Sequence, residues 1–393
     1  MKKLLVLSFT LLMALILVSC GDKQIKIGVV LPDAAEERWA RQDGEFLKAE
    51  LDKLGKGYEY DILFSGADES KELQNVEALI ARGAKVIIIT THGSGAAAVD
   101  AAAAAGVKII AHDRMSKSDE NVADFYTTFN SWNVGKAQGQ HLVEMAIANG
   151  ASATNKVDLA IFAGRTADWP NATYFFGGAM EAIQPKLDHF NIITPNAAAV
   201  NGLALYTEAT FNEAARTALQ AAMSTVDTDW NPEEAANKAS AVVASLTGNK
   251  SNQDVYVLAP NDDTSAAIRI EFAKMENEYR NYYTTGQDAS NVALASLMGD
   301  PVKGNGTQTM TVFKDTSKLS ADSVKIAKNI VDGVAGLTGL QSGPSIDGAE
   351  TAYTAIDVLL ASDKQKTYNL IFKTGYKNKN DAIFDNIDFS EWE

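Results

Sequence analysis

Apolar residues recur along the first third of the chain in two alternating rhythms. Short apolar stretches at Lys26–Leu31, Tyr58–Phe64, Lys85–Thr90, Val107–Met115 and Asp124–Phe129 read as strands, and the runs of β-branched residues in the first, third and fourth mark strands buried between helices. Between them the apolar positions fall three or four residues apart. Phe46, Leu47 and Leu51 precede Gly55, and Leu73, Val76, Leu79 and Ile80 precede Gly83, the spacing of helices with one buried stripe. Asp68 or Ser70 can cap the second helix and Gly83 can end it, while Ala96–Ala105 is helical by propensity. The alternation resumes with Val157–Gly164, Asn171–Ile183, Val255–Ala259, Ser265–Met275 and Tyr282–Gly286. Such units, joined by short connections, require right-handed crossovers and a largely parallel sheet covered on both faces. The pattern therefore predicts an α/β protein with two similar three-layer lobes. From Asn191 to Thr247 the periodicity weakens, with helices predicted at Thr207–Met223 and Pro232–Leu246. The polar tail from Ser362 holds one predicted strand, Tyr368–Phe372.

In an open parallel sheet, ligands bind beyond the carboxyl ends of the strands. Polar residues able to bind hydroxyls accumulate there. They are Glu37-Arg38 beside Trp39, Asp113-Arg114, Asp168 with Asn171, Asn261, Asp288 in Gly286-Gln287-Asp288-Ala289, and Lys314 closing Thr311-Val312-Phe313-Lys314. Trp39 and Trp230 lie next to such groups. A pyranose presents apolar C–H faces and a rim of hydroxyls, so flat indoles can cover the faces while Asp, Asn, Arg and Lys bind the rim.

Other chemistries fit less well. Gly93-Ser94-Gly95 opens a helix, and Asp113 stands twenty positions beyond Gly93, the layout of a dinucleotide fingerprint. It is not in the first strand–helix unit, however, and a run of alanines matches small-residue patterns cheaply. The four histidines lack metal-ligand spacing and cysteine partners. His112 and Asp113 are neighbours on a strand and point to opposite faces, with no Ser or Cys in a nucleophile-elbow context. Asp262-Asp263 are too close in sequence to flank a glycosidic bond, and a capping acid beside a binding Asn261 accounts for them. No reaction, cofactor or metal is expected.

Composition narrows the partners. A formal charge of −15 opposes nucleic-acid binding, and 46% hydrophobic residues suffice for packed cores. Lys2 and Lys3 precede the acid-free apolar run Leu4–Val18, which is too short for a stable membrane span. Leu17-Val18-Ser19-Cys20-Gly21 follows and contains the chain's one cysteine. This resembles a bacterial lipoprotein signal: residues 1–19 would be removed, Cys20 lipidated, and 20–24 left as a tether. The expected product is exported and anchored by lipid alone, in the periplasm or on the cell surface.

Taken in order, Glu37-Arg38-Trp39, His112-Asp113-Arg114-Met115, Asn171-Ala172, Asn261-Asp262, Gly286-Gln287-Asp288-Ala289 and Thr307–Lys314 resemble the motifs of bacterial periplasmic sugar-binding proteins, above all the xylose-binding and multiple-sugar-binding members. The likeness spans about Ile25 to Asp357, interrupted at Asn191–Asp229. It implies a type I periplasmic binding fold whose lobes, 25–130 with 289–343 and 131–288 with 344–393, are joined by a three-crossover hinge that closes on a monosaccharide. Crossovers would fall near Asn130, near Asp288 and near Ser342–Ser345. Arg38, Asp113, Arg114, Asp168, Asn171, Asn261, Asp288 and Lys314 would bind hydroxyls, and Trp39 and Trp230 would sandwich the ring. The partners implied are a xylose, glucose or galactose class sugar and ABC permease subunits, with a chemoreceptor or sensor kinase as the alternative, and the protein would be a monomer. Three departures stand out. His112 replaces the family's usual tyrosine, Trp169-Pro170 lengthens the loop Arg165–Asn171, and Asn191–Asp229 is expanded.

Overall fold

The strand stretches of the first third pair side by side, with the half-buried Tyr60–Phe64 at one edge. A computed structural model describes residues 25–32, 38–275, 279–299 and 307–393. The leader, the tether with Cys20, and Glu37 lie outside the described residues, as does the side chain of Arg38. The described residues form two compact units. One takes the chain up to Thr128 with Thr316–Thr354, and the other takes Phe129–Asp315 with Ala355–Glu393.

In the first unit β1 (Ile27–Leu31), β2 (Tyr60–Phe64), β3 (Val86–Ile89), β4 (Lys108–His112), β5 (Phe125–Phe129) and β12 (Glu350–Thr354) form one sheet, in the order β12-β5-β4-β3-β1-β2. The pairs joining β1 to β5 through β3 and β4, and β1 to β2, are parallel. Asp68, not Ser70, caps the helix Glu69–Ala81, accepting from the N–H groups of Ser70 and Lys71.

In the second unit β6 (Val157–Ile161), β7 (Phe190–Ile192), β8 (Asp254–Leu258), β9 (Asn281–Thr284) and β10 (Thr307–Gln308) form a parallel sheet, in the order β10-β9-β8-β6-β7. β11 (Met310–Lys314) and β13 (Ile356–Leu360) make a separate antiparallel pair. The lobe limits read from the sequence need correcting at two places. Residues 289–315 belong to the second unit because β10 extends its sheet and β11 pairs with β13, in register from Met310 with Leu360 to Lys314 with Ile356. Residues 344–354 belong to the first because β12 lies beside β5, where Glu350 N–H donates to the Asp124 carbonyl at 3.0 Å.

Two further expectations give way to local chemistry. The predicted strand Tyr368–Phe372 is a π-helical turn continuing Lys364–Thr367, and Tyr368, Ile371 and Phe372 bury one helical face. Their three-and-four spacing was the helical signal. The helix predicted from Thr207 starts at Glu213, because Asn212 adopts an extended backbone and accepts from Ala215 N–H. Only the turn Glu208–Thr210 is helical before it.

The helix Ser131–Ala148 packs against Trp169–Ile183 at backbone contact. A Cβ on Gly135 would lie 1.8 Å from the Phe175 carbonyl oxygen, and one on Gly178 would lie 1.9 Å from that of Trp132. Gly135→Ala must force the helices apart, and chemical denaturation should show a loss of about 3 kcal/mol or more. An undiminished midpoint would mean that the contact is not closed in solution.

Candidate functional site

Each unit carries polar residues beyond the carboxyl ends of its parallel strands. In the first, Trp39 sits 2% exposed in the turn Arg38–Asp43 after β1. The Arg114 guanidinium lies 5.1 Å from the centre of the Trp39 ring and donates to the Thr91 carbonyl at 3.3 Å. Asp113 directly follows β4 in the left-handed region, φ +67°, which aspartate tolerates better than most side chains. Its N–H donates to the Thr127 carbonyl at 2.9 Å, and its carbonyl accepts from the Tyr126 hydroxyl at 3.0 Å.

His112 has a different role. Fully buried, it places Nδ1 2.8 Å from Ser323 Oγ and Nε2 3.2 Å from Asp43 Oδ1. Ser323 Oγ is in turn 2.6 Å from Thr127 Oγ1. This network ties β4 and β5 to the helix Thr316–Val331 and leaves no free imidazole for catalysis. The Gly93 loop also loses its dinucleotide reading. A Cβ on Gly93 would lie 1.8 Å from Glu69 Oε1, and His92 N–H donates to Glu72 Oε2 at 3.1 Å. Carboxylates occupy the surroundings that a pyrophosphate would need.

In the second unit, Asp168 precedes the helix Trp169–Ile183, whose first turn contains Pro170. Trp169-Pro170 therefore form the first turn of a helix. Asn171 Nδ2 donates to Asp168 Oδ1 at 3.1 Å and Asn171 Oδ1 accepts from Ser131 Oγ at 3.3 Å. Ser131 is within reach because the glycines bring the two helices together. Asp288 Oδ1 and Lys314 Nζ are 2.7 Å apart, and the Lys314 ammonium stands 5.8 Å from the Phe129 ring centre. Asn261 caps the helix Asp262–Phe272, accepting from Thr264 N–H at 2.9 Å. That bond, with a second from the Thr264 hydroxyl at 2.7 Å, engages Oδ1. Trp230, half-buried, rests its ring against Gly164, where a Cβ would come within 2.4 Å of it. Its buried Nε1 has no acceptor among the described residues. Of the expected ligand residues, the structure thus joins Trp39 with Arg114, Asp168 with Asn171, and Asp288 with Lys314. Asn261 and Trp230 are held by their own local contacts. Among the described residues no group of three or more His, Cys, Asp or Glu could hold a metal.

The sequence model of the periplasmic binding protein domain matches residues 27–335. The chain belongs to that family. It is 27% identical over 315 residues to the multiple sugar-binding periplasmic protein SbpA of Azospirillum brasilense, covering 78% of this chain and 77% of that protein. With the D-xylose-binding periplasmic protein of Escherichia coli it shares 26% over 318 residues, covering 80% and 81%. A carbohydrate transporter solute binding protein of Chloroflexus aurantiacus, solved in complex with D-glucose, superposes with a TM-score of 0.72 at 31% identity, covering 93% of this chain and 100% of that one. The two-unit α/β architecture is that of a type I periplasmic binding protein, and the family consists of solute-binding proteins, not enzymes.

In this periplasmic binding protein the acidic pair Asp262-Asp263 supplies something the sequence did not reveal. Asp262 is 1% exposed and accepts from Gln308 Nε2 at 2.6 Å, Thr311 Oγ1 at 2.8 Å and Ser290 N–H at 2.8 Å. Burial first, then the neighbouring Asp288, raises its pKa well above the carboxylate range. Asp262 therefore fastens the turn that carries Asp288, and Asn261 alone is the cap. Its partners come from β10, β11 and the segment after Asp288, all remote in sequence.

Glu72 is 2% exposed, and burial pushes its pKa from an ordinary 4.5 up to about 7, against the opposing His92 N–H bond and with Glu69 adding repulsion. The folded state thus holds the proton more tightly than the unfolded chain. Stability from this group is fully present below about pH 4.5 and is lost as pH rises through about 7. The loss amounts to at most about 3 kcal/mol. Denaturant titrations at pH 5 and pH 8 should show this decline in the wild type and its disappearance in Glu72→Gln.

Proposed function

We propose that the protein is the monosaccharide-capturing component of an ABC sugar importer, exported and tethered through a lipid on Cys20. The observation that carries this reading is the set of charged and amide groups held in pairs at the carboxyl edges of both sheets. Asp113 stands beside the Arg114–Trp39 pair in one unit, with Asp168–Asn171 and Asp288–Lys314 in the other. Carboxylates accept from sugar hydroxyls, while guanidinium, ammonium and amide groups donate to them. Trp230, half-buried, would cover one C–H face of a pyranose, and Trp39, 2% exposed beside the Arg114 guanidinium, would cover the other once uncovered. The printed names and ligands of the relatives, multiple sugars, D-xylose and D-glucose, support the same class of solute.

The mechanism is a population shift. A ligand biases a conformational equilibrium only by its differential affinity for the two states. A sugar that draws hydroxyl contacts from both units favours the conformation in which both edges reach it, and that conformation is presented to the permease.

In a thermal-shift panel of D-xylose, D-glucose, D-galactose and L-arabinose, at least one aldose should raise the melting temperature. A hundredfold excess over Kd corresponds to about 2.7 kcal/mol. Asp113→Asn keeps a residue that tolerates left-handed backbone, and Asn261→Asp keeps a helix cap while removing the amide donor. Each should weaken calorimetric binding about 10- to 100-fold with the fold intact. No response to any aldose would overturn the assignment. In bacterial expression, Cys20→Ser should move the protein from the membrane fraction to the soluble exported fraction. Retention in the membrane would remove the lipid tether.

A further inference from the structure

The segment between the helices Ala197–Asn201 and Glu213–Met223 lies within the stretch Asn191–Asp229. Its turn Glu208–Thr210 is closed by a reciprocal cap between Thr207 and Thr210, and it reaches the second unit's polar edge through two anchors. Phe211 stacks on Trp169, with ring centres 6.3 Å apart and planes 6° from parallel. It also meets Tyr174 edge-on at 4.6 Å and Trp132 at 5.9 Å. Arg216, just inside the following helix, sets its guanidinium 4.3 Å from the centre of the Trp169 ring. The second anchor is Glu208, whose Oε1 accepts from Asn130 Nδ2 at 3.0 Å.

Both anchors end one residue from the Asp168–Asn171–Ser131 group. Trp169 directly follows Asp168 and opens the helix that presents Asn171. Asn130 directly precedes Ser131, whose hydroxyl donates to Asn171. The outer side of the segment stays in solvent, with Leu205 55% exposed. A strap built only to bury its own apolar residues would not leave that leucine outside.

We propose that residues 203–212 form a specificity strap, in which Phe211 and Glu208 act as positioning residues that fix the Asp168–Asn171 pair for one hydroxyl of an aldose. The inference rests on the monosaccharide reading above. A rigid acceptor–donor pair discriminates strongly against a ligand whose hydroxyl does not match, because a buried polar group is then left unpaired. A loosened pair re-adapts and discriminates less. The strap therefore controls the ratio of affinities between epimeric aldoses more than the strength of binding itself.

The test is calorimetric titration of the full chain with the best aldose and its epimers, alongside thermal melts without ligand. Phe211→Ala should reduce affinity for the best aldose about tenfold, leave the weakest epimer within about threefold, and so compress the selectivity ratio. Phe211→Tyr should restore the ratio, and Leu205→Ala should leave it unchanged. Should Phe211→Ala fail to fold, Glu208→Ala, at a solvent-facing turn, decides the matter with an expected three- to tenfold compression. A selectivity ratio preserved within twofold in the folded variant overturns the strap while leaving the sugar assignment standing. Failure of the wild type to bind any aldose overturns both.

Discussion

A Cβ on Gly135 would lie 1.8 Å from the Phe175 carbonyl oxygen, and a Cβ on Gly139 would lie 2.6 Å from that of Ala179. Gly178 and Gly177 answer from the other side, against Trp132. Interiors are packed too densely to absorb an extra methyl at such distances, so the axes of Ser131–Ala148 and Trp169–Ile183 are fixed by the absence of side chains. Much of the second unit's polar edge follows from this constraint. It brings Ser131 to Asn171, presses Trp132 into the aromatic group around Phe211, and leaves Trp132 Nε1 to donate to Glu181 Oε2 at 2.5 Å. Separating the helices would dissolve the group that holds Asp168.

Beyond that contact, the edges are organised by partial mutual satisfaction. Asp288 with Lys314, and Asp168 with Asn171, are paired closely enough to limit the cost of leaving polar groups partly out of water. Asp262 extends the same logic beneath the surface. Its three donors anchor the turn bearing Asp288, so an acid that could be mistaken for a catalytic one acts through its neighbour's position.

Fold class was legible because periods of two kinds are properties of contiguous sequence. The five early strands and the helices ending at Gly55 and Gly83 could be read locally, and so could Asn231-Pro232 as a helix start. What escaped depends on contacts between distant segments. β12 has no strong pattern of its own and exists because β5 offers an unpaired edge. The assignment of 289–315 turns on β11 meeting β13, some forty-five residues onward. Alternation alone set His112 on the face opposite Asp113, but its partners Asp43 and Ser323 could not be foreseen. The candidate residues could be named from sequence as strand-end polar side chains, whereas their pairings with one another, and the anchoring of Trp169 by Phe211, could not.

Backbone conformation singles out the same places without reference to side-chain chemistry. Among the described residues, the non-glycine positions with positive φ are Ala67, Asp113, Asp229, Trp230, Asp288, Ala289 and Asp347. Five of these seven fall on or beside expected ligand residues. Aspartate tolerates this region, but tryptophan and alanine do not gain from it, and each such residue costs of order 1 kcal/mol or more. The strain at Trp230, φ +58°, is held by the Arg165–Asp229 ion pair at 2.6 Å on one side and on the other by Asn231, which caps the next helix. The strain at Ala289 is held by Asp288 N–H donating to Val312 and by Ser290 N–H donating to Asp262. Outliers fastened from both sides persist where a chain must present a side chain that relaxed backbone would turn elsewhere. Their recurrence after β4, after β9 and at Asp229-Trp230 shows that these turns are built to hold their side chains in place.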